Sequence, residues 1–115
     1  MEYQTGVKKK DTLEITELLN AKTGEAVKVN GAVHTIRDMG TVAFVILRKR
    51  EGLLQCVYEE GSATFDLKEI KEASTLEVEG VLEQNEKAPN GIEIRMKKVR
   101  ANVTVYGSET AVTTD

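Results

Sequence analysis

At 115 residues, 40% hydrophobic and 30% charged, the chain has the size and mix of one soluble domain with a single core. Its net charge of −3 argues weakly against a nucleic-acid binder, so the distribution of charge has to decide. One cysteine excludes an internal disulfide, and one cysteine with one histidine cannot make a structural zinc site.

Residues 1–10 show no periodicity and end in Lys8, Lys9 and Lys10, which reads as a flexible arm. The stretch has no apolar segment after its lysines and no run long enough to span a bilayer follows, so neither a secretory signal nor a membrane is expected. A reduced, cytoplasmic setting fits. From Asp11 to Leu19, the stripe Leu13, Ile15, Leu18 and Leu19 predicts one or two helical turns plugging the end of a barrel, with Asp11 and Glu14 as a capping-box-like start.

A long first strand alternates Val27, Val29, Gly31, Val33 and Thr35 against Lys28, Asn30, Ala32, His34 and Ile36. Gly31 in its middle suggests a sharp bend or close backbone approach. The turn RDMGT leads to a second strand with Ala43, Val45 and Leu47 on one face and Phe44, Ile46 and Arg48 on the other. The turn RKREG leads to a third, where Leu54, Cys56 and Tyr58 oppose Leu53, Gln55 and Val57. Phe44, Gln55 and Arg37, at the end of the first strand, can therefore share one patch of sheet. An aromatic, a neutral amide and a guanidinium can stack a base, read its edge and hold its phosphate.

The segment EEGSATFDLKEIKEAS predicts a helix, with Leu67 and Ile70 inward, Lys68, Glu69, Lys71 and Glu72 solvated, and Asp66 as cap. A fourth strand sets Leu76, Val78, Gly80 and Leu82 against Glu77, Glu79, Val81 and Glu83. After the loop NEKAPNG, a fifth alternates Ile92, Ile94 and Met96 with Glu93, Arg95 and Lys97. From Lys98 the phase changes, so that Val99, Ala101, Val103 and Val105 share a face. Residues 107–115 are aperiodic and read as a disordered tail, leaving 11–106 as the domain.

The order is all-β: five strands with a short N-terminal helix and a helix between strands 3 and 4. That is the layout of the OB-fold Greek-key barrel, whose strand 2–3 face and flanking loops bind oligonucleotides. Residues 27–50 carry five Lys/Arg against one Asp, whereas residues 51–90 carry three against ten acids. The basic excess thus lies on the stretch that holds the base-reading candidates. On charge alone, an unevenly solvated face is the slightly better explanation.

The segments ITELLNAKTGEAVKVNGAVHTIRDMGTVAFVILRKREGLLQCVY and TLEVEGVLEQNEKAPNGIEIRMKKV resemble the N-terminal anticodon-binding OB domain of class IIb aminoacyl-tRNA synthetases, the aspartyl and asparaginyl enzymes above all. The resemblance rests on the R-D-x-G turn, the F-x-x-L-R strand, the E-G turn and the x-Q-x strand, in order and at matching spacing. It implies that Arg37, Phe44 and Gln55 contact an anticodon, the ring and amide engaging its central uridine. It also implies that Glu83, Glu86 and Lys87, at the loop between strands 4 and 5, meet the outer bases. Arg48 and Lys49 would add phosphate attraction at the rim.

The family often has tryptophan where this chain has Ala32, and aspartate where it has Lys49. None of the class II catalytic motifs is present, so no enzymatic activity, cofactor or metal is expected. The expected role is a non-catalytic RNA-binding module for single-stranded RNA or a tRNA anticodon loop, as a monomer or weak dimer. The alternative is a protein–protein interaction module that kept the barrel and lost RNA binding. The plain alternatives for the site residues are a core position or a plain exposed aromatic for Phe44, a solvated strand residue for Gln55 and a turn residue paired with Asp38 for Arg37.

Overall fold

The computed structural model describes residues 12–102, and the expected arm and tail lie outside them, as does Asp11. Five strands close into a barrel in the order β1-β2-β3-β5-β4. They are β1 (Ala26–Asp38), β2 (Val42–Lys49), β3 (Gly52–Glu59), β4 (Thr75–Gln84) and β5 (Ile92–Ala101). All pairings are antiparallel except β3 with β5, where only Gln55–Glu93, Cys56–Ile94 and Val57–Arg95 are in register. The architecture is an all-β, five-stranded OB barrel.

The inward faces are those the alternation predicts on β2, β3 and β4. Ala43, Val45, Leu47, Leu54, Cys56, Leu76, Val78 and Ile94 are fully buried. Burial pushes the Cys56 thiol up to about 12, against a smaller opposing pull from Lys49. The barrel bends where side chains are missing. A Cβ on Gly31 would meet Leu47 Cβ at 3.1 Å and Arg48 O at 3.2 Å, and a Cβ on Gly80 would lie 2.1 Å from Arg95 O. Gly80 sits beside the β4–β5 register shift, where Glu79 pairs with Lys98 and Gly80 with Met96. Lys97 is the extra residue, which produces the change of phase seen in the sequence: Val99 and Ala101 now pair with the inward Val78 and Leu76.

The helix α1 (Ile15–Leu19) closes one end of the barrel with Ile15 and Leu18, while Leu19 is exposed. Its capping box is Glu14–Glu17: the Glu14 and Glu17 carboxylates each accept the other residue's backbone N–H. Glu51, from the β2–β3 turn, accepts both the Thr16 N–H (2.8 Å) and the Thr16 hydroxyl (2.9 Å). The helix expected between strands 3 and 4 contracts to one 3-10 turn, Leu67–Glu69, capped by Asp66. A helix this short is not stable by itself. It is held by burial of Leu67 and Ile70, roughly 1.5–3 kcal/mol each, and by Phe65 against Tyr58 with ring centroids 5.3 Å apart. The same residues that signalled a helix do their packing from a single turn.

Two consequences are measurable. Gly80→Ala should lower unfolding free energy by at least about 2 kcal/mol in urea, because a methyl group cannot be placed without moving the β5 backbone. Cys56 should stay unlabelled by a thiol-exchange reagent in the native protein at pH 8 and react at once when denaturant is added; labelling at full native stability would contradict the burial.

Candidate nucleic-acid interface

Strict alternation from Val27 would place Arg37 on the same side as Val33, inside the barrel. The structure departs from it by one residue. Val33 pairs with Leu47 but Thr35 pairs with Ile46, so His34 is an unpaired bulge residue. Beyond it Ile36 pairs with the inward Val45 and packs on the core, and Arg37 pairs with Phe44 on the outside. The expected faces of Thr35 and Ile36 are thereby exchanged, and Arg37 joins the outer patch.

Two rows of side chains cross that outer face. Arg37, Phe44, Val57 and Arg95 are successive cross-strand partners on β1, β2, β3 and β5. Thr35, Ile46, Gln55 and Glu93 form the neighbouring row. Phe44 is half-buried and Arg37 exposed, with no ion pair to Asp38. Asp38 instead accepts the Gly40 N–H at 3.0 Å and pairs with Lys71 at 3.0 Å; that hydrogen bond, then Lys71, holds its carboxyl below the usual range. The β1–β2 turn is thus fixed by Asp38, leaving the guanidinium of Arg37 outside it.

Gln55 donates its amide N–H to Glu93 Oε1 at 3.0 Å, and Asn85 donates to the same oxygen at 2.9 Å. The Gln55 carbonyl oxygen accepts nothing among the described residues. Glu93 was not among the expected site residues, because a glutamate alternating with isoleucines on a strand reads as plain solvated surface. Asn85 also ties the β4–β5 loop down through the Lys87 N–H, and Asn90, at φ +62°, donates to Leu53 O at 2.9 Å. This loop stands beside the Gln55 end of the patch, with Glu86 and Lys87 exposed on it.

Glu83 is on the face too, engaged with Arg95 Nε at 3.3 Å, and Glu59 accepts from Arg95 Nη1. These carboxylates, Glu83 first, raise the Arg95 guanidinium above its ordinary value. Arg48 is exposed on the outer face of β2. Lys49 corrects the expectation of a basic rim. It is 8% exposed, its ammonium bonded to the Asn30 carbonyl at 2.5 Å and lying 3.4 Å from Glu14. Alternation turns it inward with Leu47, over the gap left by Gly31. No His/Cys/Asp/Glu cluster suited to a metal exists among the described residues, and no helix among them is long and apolar enough to cross a membrane. Replacing Lys49 with Met should cost about 1–3 kcal/mol of unfolding free energy, by leaving the Asn30 side chain and Glu14 without their shared donor; an unchanged urea midpoint would contradict its structural role.

Comparison with known proteins gives this geometry a family. The tRNA anticodon model, described as an OB-fold nucleic acid binding domain, matches residues 27–101. The chain is 37% identical over 86 residues to an aspartate–tRNA(Asp/Asn) ligase of Saccharolobus solfataricus, covering 74% of this chain and 20% of the relative. It is 40% identical over 81 residues to that of Methanococcus vannielii, covering 67% and 18%. The chain therefore spans about a fifth of the length of these curated relatives. Among solved structures it is similar to the asparaginyl-tRNA synthetase of Pyrococcus horikoshii, with TM-score 0.61 and 26% identity over 69% of this chain and 19% of that one. An OBody bound to hen egg-white lysozyme shares the fold at TM-score 0.67 and 24% identity, over 84% of this chain and 96% of that one. With its five-stranded barrel and the matched span from Val27 to Ala101, this chain belongs to the OB-fold nucleic acid binding domain family, as the anticodon-binding type found in aspartyl- and asparaginyl-tRNA synthetases.

Proposed function

We propose that the domain binds single-stranded RNA without catalysis, at a tRNA anticodon loop bearing an unstacked uridine. The observation that carries this reading is the shared outer face of Arg37, Phe44 and Gln55, which exists only because of the bulge at His34. Phe44 offers a stacking surface, and a stacked base contributes roughly 1–3 kcal/mol. Gln55, with one N–H committed to Glu93, offers its carbonyl oxygen as an acceptor. Uracil presents an N3–H donor on its Watson–Crick edge where cytosine presents an acceptor, so this orientation favours uridine over cytidine. Arg37 and Arg48 supply phosphate attraction, and Glu86 and Lys87 on the β4–β5 loop face the neighbouring bases. Lys49 is left out of the interface, being committed to Asn30 and Glu14.

The curated relatives act on aspartate and tRNA(Asp/Asn) by name; the RNA partner is carried to this chain as part of the proposal. Phe44→Ala should weaken binding of a uridine-containing anticodon stem-loop by about 5- to 150-fold at constant salt, with an unchanged circular dichroism spectrum. Arg37→Ala should lower the slope of log affinity against log salt by about 0.7. Equal affinity of the Phe44 variant and the parent would remove the base-stacking assignment. A protein partner recovered in place of RNA would favour the interaction-module reading.

A further inference from the structure

The face that carries Arg37 and Phe44 runs on into the β1–β2 turn. The Met39 N–H donates to Val42 O at 2.8 Å, so the ladder that pairs Arg37 with Phe44 and Asp38 with Ala43 gains one more step, Met39 opposite Val42. Val42 in turn pairs with Glu59. Met39, Val42 and Glu59 are thus a third outer row, next to the row of Phe44 and on its far side from Gln55. Val42 is half-buried, whereas Met39 is 61% exposed, the most exposed large apolar side chain among the described residues.

A single exposed methionine signifies little at an arbitrary surface position. This one stands on a turn that is held from several sides. Asp38, turned to the other side by alternation, accepts the Gly40 N–H at 3.0 Å and pairs with Lys71 at 3.0 Å. The Glu60 N–H donates to Thr41 O at 2.9 Å. A ligand that packs on Met39 therefore meets a backbone already in place and orders one side chain. Thioethers are polarisable and pack well on aromatic rings. Neighbouring rows on one face of a strand are about 7 Å apart, room for the next nucleotide of an unstacked strand. We propose that the base adjoining the stacked uridine, on the side away from the β4–β5 loop, packs on Met39 and Val42. Two apolar side chains do not read a base edge, so this shelf accepts any base.

The inference rests on the RNA-binding reading, and its test separates the two. Binding of a uridine-containing anticodon stem-loop is compared with that of versions in which each base flanking the uridine is replaced in turn by an abasic nucleotide. Met39→Ser should weaken binding of the intact stem-loop about 3- to 10-fold with an unchanged circular dichroism spectrum, and Met39→Leu by less than about 2-fold. Removing one of the flanking bases should cost the parent a similar factor and the Met39→Ser protein almost nothing. Exchanging that base for another should leave the parent's affinity unchanged. Leu19→Ser, at the other exposed large apolar side chain, should bind like the parent, because α1 sits by the β2–β3 turn at the opposite end of the barrel. Equal affinity of Met39→Ser and the parent, with Phe44→Ala still weakened, would overturn the shelf and leave the uridine site standing. Losses from Met39→Ser and from either base removal that simply add would overturn it as well. A parent that binds none of these RNAs would overturn both readings.

Discussion

One extra residue in β1 sets the chemistry of this surface. A strand that obeyed its own alternation from Val27 onward would turn Arg37 toward the core and Ile36 toward water. The bulge at His34 exchanges them, so that the first half of β1 can line the barrel against β4 and the second half can deliver a guanidinium beside Phe44. Bulges carry a local increase in twist, and here that twist is accommodated at a point where the strand passes from one neighbour to the other. Gly31 does the complementary work just upstream: with no side chain, it leaves the space that Leu47 and the stem of Lys49 occupy, which a Cβ there would meet at 3.1 and 3.4 Å. Glycine and bulge together let one strand serve both halves of the closed sheet.

The outer face that results is electrically graded. Arg37 and Arg48 stand toward β1 and β2, while Glu59, Glu83 and Glu93 cluster on β3, β4 and β5, with Arg95 held between two of them. Phosphates are drawn to the first side and repelled from the second, so a bound strand would run its backbone near β1–β2 and point base edges toward β3–β5. That arrangement suits an amide whose donor is already committed to a carboxylate. The acidic total of the chain is compatible with such a surface, because attraction between exposed charges falls off over a Debye length of about 8 Å at physiological ionic strength. The local grading matters more than the sum.

Much of this was legible in the residues. Ala43, Val45 and Leu47 against Phe44, Ile46 and Arg48 is a clean period-two pattern, and it fixes both faces of β2 before any coordinates exist. The phase change on β5 was legible as well, since Lys97 and Lys98 side by side break the alternation between Met96 and Val99. The bulge on β1 was not, because Val33, His34, Thr35 and Ile36 are all good strand residues and nothing marks which one is extra. Lys49 looked like rim charge because a lysine at a strand end usually is; its burial depends on the space above Gly31 and on the approach of Glu14, both tertiary facts. Glu93 escaped notice for the reverse reason, being read as solvent-facing when its partner, Gln55, lies 38 residues earlier. The inserted helix kept its apolar contacts and lost its length, since packing of Leu67 and Ile70 needs one turn and no more.

In the proposed complex a ring, an amide and a guanidinium meet a base on the outside of this barrel. Titrating the labelled protein with a short uridine-containing hairpin RNA, and following the Phe44 ring protons, the Gln55 side-chain amide and the Arg37 Nε–H together, examines it most directly. All three should shift along one binding curve, with the Phe44 ring protons moving upfield as a base stacks on them. Saturable binding that moves none of them would contradict it.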